Sequence, residues 1–145
     1  IDRIGRKTLL IIGSFGYIIS LSMVAYGFIN HSAPEFMLSF LLLFIAAHAI
    51  GQGAVIWVLI SEIFPTQIRA KGQAFGASIH WVFAALITLI APIFIDDVNG
   101  IFKENPWPIF AFFGVMMTWQ LFWVLTKVPE TKGVSLEDLE KKLVD

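Results

Sequence analysis

The polar residues of this chain do not alternate with its apolar ones; they interrupt them. Four apolar blocks, at about residues 8–29, 36–60, 73–95 and 108–126, are separated by NHSAPE, SEIFPTQIRAKG and DDVNGIFKENPWP. A run of ~20 apolar residues, rising ~1.5 Å per residue in a helix, crosses a hydrocarbon core of ~30 Å. The blocks lack the one-sided period of a helix lying on a water-facing surface. Inside a bilayer the backbone must satisfy its own hydrogen bonds, so the pattern predicts an all-α integral membrane protein with four transmembrane helices. Residues 1–7 then form a loop, 8–128 the four helices, and 129–145 a tail. In the tail, Ser135 with Asp138 makes a capping pair, and Leu136, Leu139 and Leu143 share one face. That pattern predicts a short amphipathic helix.

Composition strengthens this reading. Of 145 residues, 57% are hydrophobic and only 14% charged, whereas soluble domains carry about a quarter charged residues. A net charge of −1 gives no electrostatic reason to expect nucleic acid. The absence of cysteine excludes disulfides and thiolate metal sites. Nine of the ten Lys and Arg residues fall before block one, between blocks two and three, or after block four; Lys103 is the exception. The bias of basic residues toward the cytoplasm predicts that both ends of the chain, and the loop around 61–72, are cytoplasmic. The chain opens on Ile1 inside a charged cluster and shows no signal-peptide pattern, which reads as a piece of a longer protein.

The blocks are not uniformly apolar. The second contains HAIGQGAVIW, with His48 and Gln52 four residues apart, Gly51 and Gly53 removing side chains, and Trp57 four residues beyond Gly53. The third carries His80 and Trp81. Polar groups at this depth are costly and face a bundle interior or an aqueous path. Each also has a plainer role: Gln52 bonded to a neighbouring helix, Trp57 in the interfacial belt, His80 satisfied in packing. Gly13 and Gly16 suit helix packing. Together, glycine-broken helices, an amide and indoles suit a polar, uncharged solute. A sugar presents hydroxyls to amides and C–H faces to aromatic rings. No Asp or Glu lies within the four blocks. That disfavours a cationic substrate and places any proton-carrying carboxylate outside this chain. No nucleophile–base pair or metal-ligand spacing appears, so neither an enzyme, a metal site nor a cofactor is expected.

Three motifs remain: IDRIGRK at 1–7, SEIFPTQIRAKG at 61–72 and PETKG at 129–133. In this order, separated by these spans, they resemble the sugar porter family of the major facilitator superfamily over nearly the whole chain. The resemblance implies part of the C-terminal six-helix bundle of a twelve-helix transporter, namely helices nine to twelve. The earlier helices of the same protein would be its partners within the bilayer. It implies that Glu62 and Arg69, with Asp2, Arg3 and Arg6, form ion pairs that close the cytoplasmic side. It also implies that Trp57, Trp81 and His80, with Gln52, Gly51 and Gly53 nearby, contact a monosaccharide, either hexose or pentose. His80 stands where relatives carry Asn or Gln. The GQGAVIW stretch lacks prolines found in some members. The expected activity is alternating-access sugar transport with proton symport, in a bacterial inner membrane judging by the short loops. A facilitative uniporter and a non-transporting sugar sensor are the alternatives.

Overall fold

The computed structural model describes residues 4–134. Asp2, Arg3 and the expected tail helix therefore lie outside the described residues. Five helices follow one another: α1 (Arg6–Ile29), α2 (Pro34–Ile50), α3 (Gln52–Ile63), α4 (Arg69–Ile95) and α5 (Trp107–Lys127). They amount to four spans long and apolar enough to cross a membrane, because α2 and α3 together form one 30-residue segment broken at Gly51. Every apolar block lies within a span, and the spans run further. The charged stretch 61–72, expected as a loop, is helical except for residues 64–68: Ser61 to Ile63 complete α3, and Arg69 begins α4. Continuing the helices keeps their backbone groups paired near the membrane edge, where leaving them unpaired is expensive.

The helix starts follow from local chemistry. Pro34 opens α2 with Glu35 in its first turn; proline's fixed φ suits that position, and an acid complements the N-terminal dipole. Pro108 occupies the first turn of α5 in the same way. Beyond α4, the Asp96 carboxylate accepts the N–H groups of Val98 and Asn99 at 2.9 and 2.7 Å. The Asn99 and Val98 N–H groups hold its carboxyl below the usual carboxylate range.

The start of α1 is satisfied from the other end of the chain. Glu130, just beyond α5, accepts the backbone N–H of Arg6 at 2.9 Å and of Lys7 at 3.2 Å. Partial burial pushes the Glu130 carboxyl up, but the N–H groups of Lys132, Arg6, Lys7 and Thr8 outweigh it and hold the carboxyl below its ordinary value. Lys7 returns the arrangement by donating its Nζ to Leu125 O at the end of α5, 3.0 Å away. Each helix thus supplies a charge to the terminus of the other, of the sign its dipole favours. Gly5 makes this possible. Its φ of 98° is open to glycine, and a Cβ there would sit 2.7 Å from Glu130 Oε2.

Helix α1 lies at the centre. Half of its most apolar window is buried, against none of that in α4. Leu9 and Leu10 of α1 pack with Val55 and Leu59 of α3 and Val124 of α5. Further along, Tyr17 and Leu21 pack with Ala47, Phe44, Phe110 and Phe113. Between these clusters the backbones of α1 and the broken span nearly touch. A Cβ on Gly51 would lie 2.7 Å from Gly13 Cα, and one on Gly16 would lie 2.5 Å from Ala47 Cβ. Small residues here permit the close approach that helices in a bilayer use in place of hydrophobic exclusion. At the opposite end of the bundle, Asn105 donates to Phe28 O at 3.0 Å and Phe28 stacks on Phe110 at 5.3 Å.

Two outcomes follow. Gly51→Ala must separate α1 from the break and should cost about 1–3 kcal/mol, whereas Gly114→Ala, whose added Cβ meets its first neighbours at 3.8 Å, should be neutral or gain up to ~1 kcal/mol of helix propensity. Unfolding in detergent micelles measures both. Because the Glu130 carboxyl titrates lower folded than unfolded, its contribution is present above the unfolded pKa and is lost as pH falls through the folded one. Glu130→Gln should therefore flatten that acid limb of the stability profile, read by thermal melts across the acid range.

Candidate functional site

Two groups of residues stand out, one along α3 and α4 and one at the basic end of the bundle.

Along α3 and α4, Trp57, His80 and Trp81 form a row of rings. The Trp57 and His80 centroids are 5.2 Å apart and nearly perpendicular; His80 and Trp81 are 5.5 Å apart in the same edge-on manner. Trp57 projects from α3, while His80 and Trp81 are neighbours on α4. The break at Gly51 sets where the α3 half points. Trp57 is 40% exposed and Trp81 67%; among the described residues α4 contacts the other helices through α3 alone. Two indoles around an imidazole offer apolar ring surfaces and a polar N–H or N within one contact distance, which is the chemistry of a sugar hydroxyl beside its C–H face.

Gln52 does not join that row. Its Nε2 donates to Ser14 Oγ at 2.9 Å, to Leu10 O at 3.3 Å and to Gln120 Oε1 at 3.3 Å. It thereby ties α3 to α1 and α5, the plainer of its two sequence readings. Gly51 serves the crossing with Gly13. Gly53 lies beneath His48: a Cβ there would meet His48 O at 2.8 Å and His48 Nε2 at 2.9 Å. The break falls between His48 and Gln52, so these two are not neighbours on one continuous helix. His48 Nδ1 instead meets the Tyr17 hydroxyl of α1. A cleft of about 480 Å³ lies away from the rings, lined by Tyr17, Phe44, Phe110, Phe113 and Met117 with Gln52 and Gln120. It is almost wholly apolar, so the ring row is the better candidate for a polar solute.

At the basic end, Arg6 NH2 donates to Glu62 Oε1 at 2.8 Å, with both side chains mostly covered. The other carboxylate oxygen of Glu62 accepts the hydroxyl of Thr131, itself buried. Glu62 ends α3, Arg6 begins α1 and Thr131 follows α5, so one carboxylate joins three helices. Arg69 is placed differently: its Nε donates to Phe64 O at 3.3 Å and its guanidinium to Thr66 Oγ1 at 3.2 Å. It braces the turn between α3 and α4 and does not share the recorded Arg6–Glu62 contact. Phe64 fills the space above Gly72, where a Cβ would strike its ring. Among the described residues, no group of three or more His, Cys, Asp or Glu side chains is placed to hold a metal ion.

Sequence reasoning gave no role to Ser14, Tyr17, Gln120, Glu130 or Thr131. Gln120 is the one amide within the fourth block, and Ser14 and Tyr17 interrupt the first. Those were the available signals. Which polar residues faced one another depended on how the helices cross.

The chain matches the family described as "Sugar (and other) transporter" over residues 1–143. It is 34% identical over 144 residues to D-xylose-proton symporter-like 1 of Arabidopsis thaliana, covering 98% of this chain and 27% of that protein. It is 32% identical over 148 residues to the D-xylose-proton symporter of Escherichia coli K12, covering 97% and 28%. Among solved structures, it superposes on the major facilitator xylose symporter XylE bound to 6-bromo-6-deoxy-D-glucose with a TM-score of 0.88 at 31% identity. On an inward-open form of XylE from E. coli the TM-score is 0.81 at 33% identity. Both superpositions cover 97% of this chain and 30% of the other, so the chain spans under a third of these relatives' length. With that match and these helices, the chain belongs to the sugar transporter family, with the fold of part of a major facilitator protein.

Proposed function

We propose that this chain forms helices nine to twelve of a twelve-helix porter that moves a monosaccharide, hexose or pentose, by alternating access with proton symport. The observation that carries this reading is the row of Trp57, His80 and Trp81, contributed by two adjacent spans. The row is open on the side where the remaining helices of such a porter would complete a site. The names of the relatives, xylose-proton symporters, point to the same substrate class. In this reading Trp57 and Trp81 pack against the sugar ring, and His80 exchanges a hydrogen bond with a hydroxyl. The basic end, with both chain ends, is cytoplasmic in a bacterial inner membrane. Catalysis of a covalent reaction has no place in it.

The Arg6–Glu62–Thr131 contact then acts as the cytoplasmic latch, with Asp2 and Arg3, which precede α1 in the sequence, as further members. Arg69 supports it by holding the α3–α4 turn in shape. A latch must open on each cycle, and a contact of a few hydrogen bonds at the membrane edge can break without a large barrier.

Reconstituted into proteoliposomes, the whole transporter should accumulate radiolabelled xylose or glucose under an inward proton gradient, and Trp57→Ala should lose most of that uptake. Equilibration that ignores the gradient would make it a uniporter, and no uptake of any pentose or hexose would favour a sensor. Glu62→Gln removes the ion pair with Arg6. It should shift the population toward inward-facing by roughly tenfold, about 1.4 kcal/mol. Thiol labelling of a cysteine placed on the cytoplasmic pathway reads that shift, and wild-type labelling rates in Glu62→Gln would remove the latch.

A further inference from the structure

Backbone continuity does not set the direction of α3. Gly51, with φ −100° and ψ −101°, ends α2 and precedes Gln52, the first residue of α3. A helix cut off from its predecessor in this way must be held from outside, and one face of α3 does so. Gln52, Val55, Leu59 and Glu62 follow one another at spacings of three, four and three residues and share a stripe. Val55 and Leu59 are buried against Leu9 and Leu10 of α1 and Val124 of α5. Glu62, in the last turn, meets Arg6 and Thr131. At ~100° per residue, Trp57 stands about 140° around the helix from Gln52, on the far side, where it meets His80. Whatever fixes the rotation of the stripe therefore fixes where Trp57 points.

Apolar contacts fix a rotation poorly, because their attraction has no direction. The two polar ends of the stripe are directional. In the first turn, Gln52 Nε2 donates among Ser14 Oγ at 2.9 Å, Leu10 O at 3.3 Å and Gln120 Oε1 at 3.3 Å. Ser14 is fully buried and donates its own hydroxyl to Leu10 O at 2.7 Å, which leaves its oxygen to accept from the amide. Gln52 Oε1 lies over Gly13, where a Cβ would strike it, and is buried without a hydrogen-bond partner among the described residues. The amide gives up an acceptor to keep its donors bonded. Turning it over would set that oxygen against the Leu10 carbonyl, so it is held in one orientation.

We propose that Gln52 is a positioning residue of the sugar site: its amide fixes the rotation of α3 and thereby aims Trp57 at His80. This rests on the porter reading and deepens it. Gln52 acts through Trp57 and does not itself touch the sugar. Because α4 contacts the other helices through α3 alone among the described residues, the same tie also sets where His80 and Trp81 lie relative to α1 and α5. The two polar ties on α3 have different tasks. Trp57 lies five residues from each, midway between Gln52 and Glu62. Glu62 makes the contact that breaks in each cycle. Gln52, set between α1 and α5, is the tie that remains, so the rings keep their arrangement while the basic end opens.

Fluorine NMR of the whole transporter labelled with 5-fluorotryptophan tests this, with the Trp57 and Trp107 resonances identified by their loss in Trp57→Phe and Trp107→Phe. Gln52→Met keeps the length of the side chain and removes its hydrogen bonds. It should shift or broaden the Trp57 resonance and leave that of Trp107, at the far end of α5, in place. Calorimetry with xylose and glucose should show binding weakened about fivefold, the effect of one lost hydrogen bond. Leu21→Ala, which loosens the other apolar cluster, should lower thermal stability yet leave affinity within about twofold of wild type and the Trp57 resonance unmoved. A Trp57 resonance unmoved by Gln52→Met overturns the proposal. So does an equal loss of affinity in Gln52→Met and Leu21→Ala. If Gln52→Met does not fold, Ser14→Ala combined with Gln120→Met leaves the amide only Leu10 O, and an unmoved Trp57 resonance there overturns it equally. No binding of any pentose or hexose by the wild type instead defeats the porter reading, while the resonance still decides whether Gln52 orients α3.

Discussion

A single carboxylate, Glu130, organises the basic end of this protein. It occupies the first turn of α1, where backbone N–H groups have no helical partner. Because it arrives from beyond α5, satisfying α1 also fixes α5 beside it. Lys7 on Leu125 O closes the pair from the other side. With α1 and α5 held in register, Arg6 emerges facing α3 and meets Glu62, and Thr131 reaches the same carboxylate one residue after Glu130. Gly5 is the condition for all of it, since a side chain there would occupy the place of the carboxylate.

The second constraint is the close crossing at Gly13 and Gly51. It brings α1 against the break and lets α3 leave at its own angle, which carries Trp57 to His80. The break interrupts the helix between α2 and α3 at Gly51. A bilayer tolerates such backbone where protein or an aqueous path covers it. The two ends of the argument are therefore joined through α1: it is capped by Glu130 at one turn and crossed by the break two turns later.

Much of this was legible in the sequence. Apolar blocks of about twenty residues gave four spans, and the glycines around Gln52 marked where one would break. The row of Trp57, His80 and Trp81 brings together residues singled out by type and depth. Other parts were not legible. Gln52 turns toward Ser14 and Gln120 and away from the rings, because the break reorients it, and no spacing rule covers a helix that changes direction. Arg69 stood seven residues from Glu62 in one charged motif, yet the recorded ion pair joins Glu62 to Arg6, 56 residues away. The resemblance groups both Arg6 and Arg69 with Glu62, and which of them meets the carboxylate depends on α3 ending and α4 beginning within that motif. Glu130 belonged to a recognised motif, but its task as a cap for α1 depended on two distant helix ends meeting.

The central claim is that the ring row on α3 and α4 is where the sugar sits. Photolabelling the whole transporter with a diazirine-bearing monosaccharide, then mapping the modified peptides, tests it most directly. The account predicts labels on the peptides containing Trp57 and His80–Trp81, suppressed by excess unlabelled sugar. Competable labelling confined to the apolar cleft of Tyr17, Phe44 and Phe113, with none on α3 or α4, would contradict it.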